Sequence, residues 1–205
     1  MNYKKGDTGE MVKQIQRVLH LIPDGIFGQL THEAVIAYQS ENGLIPDGIV
    51  GPATMAKLLA DKISVKKSRR RIDAIVVHCT ASKPDVDLTA QDVRTMHKRQ
   101  GWSDIGYHYL IRLDGRIELG RDVDIIGAHV EGHNAHTIGV CYVGGLDRNG
   151  KPYDTRTENQ KASLLSLLMM LRKTYPKAVI KGHRDYPNVK KACPCFNAIQ
   201  EYIRL

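Results

Sequence analysis

The chain has 205 residues, 42% hydrophobic and 25% charged, a composition that excludes a disordered or collagen-like polymer. Its net charge is +8, and its four cysteines, Cys79, Cys141, Cys193 and Cys195, are too few for a disulfide scaffold of this length. The longest apolar candidate, Leu164 to Leu171, contains Ser166 and falls short of the ~20 residues of a membrane helix, so no membrane insertion is expected.

Residues 1–60 contain an internal repeat. Pro23-Asp24-Gly25-Ile26-Phe27-Gly28-Gln29-Leu30-Thr31 returns as Pro46-Asp47-Gly48-Ile49-Val50-Gly51-Pro52-Ala53-Thr54, displaced by 23 residues. Repetition at a fixed period marks one supersecondary unit used twice. Asp-Gly supplies a tight turn, the threonine caps a following helix, and Pro52 suits a first helical turn. Three helices are predicted, with Val12, Ile15 and Leu19 on the apolar face of the first, Ala34 and Tyr38 on the second, and Met55, Leu58 and Leu59 on the third. With five Lys or Arg against six Asp or Glu, this segment carries a charge of −1 and does not read as a nucleic-acid arm.

Residues 61–71 hold six bases and one acid, a charge of +5. Such a run either contacts an anionic polymer or forms a solvated linker extended by self-repulsion. No aromatic residue interleaves with the charges, so a linker is predicted and no nucleic-acid partner is expected.

From Ile72 to Leu205 the pattern becomes α/β. Ile72 to His78 reads as a buried strand, and Thr89 to Gln100 as a helix opened by the pair Thr89 and Asp92. Tyr107–Leu113 and Arg116–Gly120 flank Asp114-Gly115 as a hairpin. Thr137 to Val143 is a second buried strand. Thr157-Glu158-Asn159-Gln160 is a capping box for a long helix ending before Pro176, and Ala178 to Lys181 is a short strand. The expected fold is a mixed central sheet flanked by helices, preceded by a small three-helix domain.

His78 ends the first strand and His183 follows the last, and strand ends on one edge of a sheet converge. Cys193 stands ten residues beyond His183. Two imidazoles and a thiolate are a sound catalytic zinc set, with a fourth position left for water. Spacing alone leaves open a second reading, in which His78 is a satisfied core histidine and Cys193 a buried apolar side chain. His129, His133 and His136 form another cluster, in a polar loop that reads as solvated.

Residues 72–204 resemble the zinc-dependent N-acetylmuramoyl-L-alanine amidases of the second amidase family, which include phage amidase-type lysozymes and the peptidoglycan recognition proteins. The likeness runs through Val76-Val77-His78-Cys79-Thr80-Ala81, Gly101-Trp102-Ser103-Asp104-Ile105-Gly106-Tyr107-His108-Tyr109, Arg112-Leu113-Asp114-Gly115, Thr137-Ile138-Gly139-Val140-Cys141-Tyr142-Val143-Gly144-Gly145 and Lys191-Ala192-Cys193-Pro194. Residues 1–60 are similar to a small peptidoglycan-binding module, through Lys5-Gly6-Asp7-Thr8-Gly9 and the Asp-Gly repeats. The resemblance implies one Zn2+ held by His78, His183 and Cys193, with Tyr107 and Lys191 as catalytic residues. Lys191 and Cys193 are taken over Lys190 and Cys195 because the Lys-Ala-Cys-Pro string is intact. It further implies that His129 lies on the wall of the substrate groove, and Trp102 is a candidate to stack on a sugar.

The function so implied is hydrolysis of the amide between N-acetylmuramic acid and L-alanine, by a monomer of phage or prophage endolysin type. The alternative is a non-catalytic muropeptide binder on the same fold. The expected layout is a peptidoglycan-binding module at 1–60, a basic linker at 61–71 and the catalytic domain at 72–205. The first ten residues carry acids and no apolar stretch, so no secretory signal is expected. Cytoplasmic accumulation is expected, with action on the cell wall after release.

Overall fold

The computed structural model describes residues 2–61 and 65–205. The chain divides into two compact units, Met1–Ser64 and Val65–Leu205.

The first unit consists of α1 (Glu10–Val18), α2 (Gln29–Glu41) and α3 (Pro52–Asp61). Its core joins Val12, Ile15, Phe27, Val35, Val50, Met55 and Leu58. The repeat is built on two buried glutamines. Gln16 donates to Asp24 Oδ1 at 2.7 Å, Ile26 O at 3.0 Å and Thr31 Oγ1 at 3.0 Å, while its Oε1 accepts from Gly25 N–H at 2.9 Å. Gln39, 23 residues on, makes the same four bonds with Asp47, Ile49, Thr54 and Gly48. Each glutamine thus pins an Asp-Gly turn and satisfies the polar groups buried beneath it.

This network rotates α2 away from the face expected for it. Thr31, Val35 and Gln39 are its buried residues, whereas Ala34 and Tyr38 are only partly covered. An apolar periodicity cannot register a face completed by a glutamine. Met55 and Leu58 are buried on α3 as expected, and the side chain of Leu59 lies outside the described residues.

The second unit is a five-stranded sheet in the order β3-β2-β4-β1-β5, formed by β1 (Ala74–Cys79), β2 (Tyr109–Ile111), β3 (Ile117–Leu119), β4 (Thr137–Tyr142) and β5 (Val179–Gly182). Only the β2–β3 pair is antiparallel, joined through Asp114 and Gly115, whose φ is 87°. The helices are α4 (Ala90–Arg99), α5 (Glu158–Thr174) and a short α6 (Ala198–Glu201). Both predicted capping boxes form, Thr89 with Asp92 and Thr157 with Gln160.

Strand alternation sorts the side chains. Ile75, Val77 and Cys79 of β1 join Ile138, Val140 and Tyr142 of β4 and the leucines of α5 in one core. Ala74, Val76 and His78 point to the opposite face, where Val130 packs against Ala74 and Val76. His78 therefore leaves the strand on the face away from α5.

Residues 65–71 belong to this second unit, which differs from the reading of 61–71 as a solvated linker. Ser68 N–H donates to Tyr175 Oη at 2.6 Å, and Ser68 Oγ donates to Val123 O at 2.7 Å. Lys66 pairs with Asp122 at 3.0 Å and Asp124 at 2.8 Å. These acids, distant in sequence, neutralise charge that looked unpaired, while residues 62–64 lie outside the described residues.

Candidate active site

Three side chains meet beyond the carboxyl ends of β1 and β5. His78 is at the end of β1, His183 opens a single 3₁₀ turn immediately after β5, and Cys193 comes from the loop beyond. The turn is held by Gly182 N–H donating to Asp185 Oδ2 at 2.7 Å. Asp185 thereby positions His183 through the backbone rather than through its ring. Arg184 N–H donates to Cys193 O at 2.8 Å, and Tyr142 Oη donates to Pro194 O at 2.6 Å, so the cysteine loop is fastened both to the turn and to the sheet.

One donor atom from each of His78, His183 and Cys193 lies within 4.8 Å of the other two. Cys193 Sγ is 3.8 Å from His78 Nδ1. Zinc–nitrogen bonds of about 2.1 Å and a zinc–sulfur bond of about 2.3 Å set tetrahedral ligands roughly 3.5 Å apart. The donor set and its spacing therefore fit a zinc ion.

The protonation states fit as well. Burial, followed by the neighbouring charges of His129, His183 and Lys191, holds His78 well below the usual imidazole range. Burial and then Lys191 lower His183 in the same sense. Hydrogen bonding from the Cys79 thiol lowers Cys193, aided by the Cys79 N–H at 3.3 Å. Neutral imidazoles and a thiolate are the forms that bind metal.

His129 selects the tautomer. His78 Nε2 lies 3.1 Å from His129 Nδ1, and His129 Nε2 lies 3.3 Å from Thr137 Oγ1, which donates to His133 O at 3.0 Å. The only consistent direction has each imidazole donating from Nε2, which leaves the lone pair of His78 Nδ1 facing Cys193. The His129 ring occupies a slot between two glycines. A Cβ on Gly127 would approach His129 Cδ2 to 2.6 Å, and one on Gly139 would approach it to 2.8 Å. Gly139, in the middle of an otherwise apolar strand, was the available sign that something approaches β4 closely. His129 is nearly buried, yet it lines the groove beside the cluster.

Tyr107 lies beside this cluster, its ring centroid 5.1 Å from that of His78. Burial, then the nearby thiols Cys141, Cys193 and Cys79, hold its phenol well above the usual range, so the hydroxyl stays protonated. Two cavities of about 600 Å³ and 820 Å³ open onto the centre, and Lys191, His183 and Trp102 line both. Tyr107 and Cys193 line the first, Glu131 and Asn188 the second.

Sequence reading missed His97. Its Nδ1 accepts from Gly106 N–H at 3.0 Å, and its ring lies 4.5 Å from Trp102 and 5.5 Å from Tyr107, between centroids. Residues that stand apart include Cys195, whose thiol donates to Gly145 O at 3.1 Å. His133 stacks near Tyr186 and His136 contacts Arg71 O, so neither joins His129 in a metal cluster. Cys79 faces both Cys193 and Cys195, 3.8 Å from the latter.

Comparison with known proteins agrees with this geometry. The N-acetylmuramoyl-L-alanine amidase family matches residues 68–196, and the peptidoglycan binding domain family matches residues 8–58. The endolysin of Enterobacteria phage K11 is 45% identical over 136 residues, covering 66% of this chain and 88% of the relative. The endolysin of Escherichia phage T7 is 45% identical over 131 residues, covering 64% and 85%. Among solved structures, an endolysin N-acetylmuramoyl-L-alanine amidase from Clostridium intestinale superposes with a TM-score of 0.56 at 31% identity, covering 69% of this chain and 90% of that one.

Proposed function

The chain belongs to the N-acetylmuramoyl-L-alanine amidase family of peptidoglycan hydrolases, and we propose that it works with one zinc ion held by His78, His183 and Cys193. Its activity is amidase activity and its partner is peptidoglycan. The observation that carries the zinc reading is the His78–His129–Thr137 relay, which leaves the unprotonated Nδ1 of His78 facing Cys193 Sγ, with a donor atom of His183 in the same cluster.

A zinc ion there supplies Lewis acidity, lowering the pKa of a coordinated water to about 7 and polarising the scissile carbonyl. The protein groups then have distinct tasks. Tyr107, protonated at neutral pH, donates to the carbonyl oxygen as it gains negative charge. Lys191, at the mouth of both cavities, adds a positive charge to the same region. Either can return a proton to the departing L-alanine nitrogen. Trp102 offers its half-exposed face to the substrate, and His129 positions His78 while standing in the wall of the substrate groove.

In this reading residues 1–60 form a wall-binding module and residues 72–205 the catalytic domain, whose edge extends back to residue 65. Tethering raises the concentration of substrate at the catalytic domain without adding contacts to the active site. The protein acts as a monomer of endolysin type that reaches the wall after release from the cytoplasm. No nucleic-acid partner is proposed; within the basic run Lys66 is paired with Asp122 and Asp124.

Zinc analysis of the purified protein tests the metal assignment. One zinc per chain is expected, with none retained by His183→Ala. His129→Ala should bind zinc about 10- to 100-fold more weakly, the usual effect of removing a hydrogen-bond partner behind a ligand. Full zinc content in His183→Ala would refute the ligand set.

A further inference from the structure

The first unit carries a cleft of about 490 Å³ between the C-terminal end of α1 and one face of α2, lined by Arg17, Leu19, His20, Ala34, Tyr38 and Glu41. Its volume falls within the range of small-ligand sites, about 300–1,000 Å³. We infer that this cleft binds the glycan strand of peptidoglycan, an inference resting on the reading of the unit as a wall-binding module.

The internal repeat separates what the fold requires from what it does not. Both copies keep the glutamine, the Asp-Gly turn and the threonine, and bond them identically. At the cleft they part. Arg17, His20, Ala34 and Tyr38 correspond, 23 residues on, to Ser40, Gly43, Lys57 and Asp61. The same supersecondary unit thus forms without any of the four cleft residues.

His20 adds a second sign. It holds a left-handed backbone at φ 57°, and Gly43, its counterpart, sits at φ 67°. Glycine adopts that conformation freely, whereas a residue with a Cβ meets steric resistance there. The first copy carries a strained imidazole where the second shows that glycine suffices.

The lining selects the occupant. Tyr38 and Leu19 are partly buried against the core and offer an apolar wall, while Arg17 and Glu41 place opposite charges at the rim. An uncharged, hydroxyl-rich sugar with one apolar face suits a tyrosine flanked by a donor and an acceptor. Stem peptides carry ionised groups, and the amidase removes them. The sugar backbone survives the enzyme's own reaction, which leaves one lactyl carboxylate on each muramic acid it strips, so an anchor on the sugar faces holds as cleavage proceeds and Arg17 meets the new charge.

The test uses the full chain and glycan strands stripped of stem peptides, which the active site cannot cleave. The triple variant Arg17→Ser, His20→Gly, Ala34→Lys writes in residues that the second copy already accommodates and leaves net charge unchanged. The expected result is an unaltered melting temperature with binding to stripped glycan weakened at least tenfold. Equal binding by parent and variant would overturn the cleft assignment. A parent that binds whole peptidoglycan but not stripped strands would overturn the glycan as occupant. A parent that binds neither would defeat the wall-binding reading itself.

Discussion

Cys193→Ser should lower the rate of peptidoglycan hydrolysis by on the order of 10³-fold while leaving the far-ultraviolet spectrum and melting temperature of the metal-free protein nearly unchanged. Loss of metal-supplied stabilisation amounts to several kcal/mol, and each ~1.4 kcal/mol is a factor of ten in rate. The thiol at 193 is shifted toward ionisation by the neighbouring Cys79, whose N–H donates to its sulfur at 3.3 Å. A serine hydroxyl at the same place remains protonated at neutral pH and is a much poorer zinc ligand. The control is Cys195→Ser, two residues away. Its thiol is engaged with Gly145 O and lies outside the three-ligand cluster, so that variant should retain most activity. An inactive Cys195→Ser beside an active Cys193→Ser would reverse the assignment. Turbidity clearance of purified cell walls measures both.

The largest effect on stability is expected at Arg156, remote from the chemistry. Its guanidinium side chain is 2% exposed and bonds Asp154 at 2.8 Å and Glu201 at 2.8 Å. It also reaches Tyr202 Oη at 3.1 Å and lies 3.3 Å over the Phe196 ring. Burial alone would lower its pKa, but the hydrogen bonds it donates to the two carboxylates outweigh that and raise it. These contacts fasten α6 and the segment after Cys195 to the strand of chain entering α5. Arg156→Met should cost about 2–4 kcal/mol, near the lower end of what is lost when a buried pair is broken, because both acids still touch water. For a unit of this size that is a fall of roughly 5–15 °C in melting temperature. Scanning calorimetry showing a shift under 2 °C would remove this clamp from the account.

Much of the second unit could be read in advance, because its determinants are local. The boxes at Thr89 and Thr157 start helices through bonds spanning three residues, and the period-two alternation of β1 places His78 opposite the α5 core. His78, His183 and Cys193 could be nominated individually from strand ends and spacing, and the family resemblance supplied their grouping. The structure brings their donor atoms together. What could not be read depends on partners far along the chain. The basic run at 65–71 looks solvated until Asp122, Asp124 and Tyr175 are folded against it. His129 reads as a groove residue, and its second contact, the hydrogen bond to His78, has no local signal. Gln16 and Gln39 escape any hydrophobic pattern, although they recur at the 23-residue period and hold both turns.

The central claim is that this chain cuts the bond between muramic acid and L-alanine through a zinc centre. Mass spectrometry of fragments released from purified peptidoglycan tests it most directly, comparing untreated, chelator-treated and zinc-restored protein. Stem peptides beginning with L-alanine, released by the first and third samples but not the second, are the predicted result. Release of such peptides at full rate after the metal is removed, or release of sugar fragments instead, would contradict it.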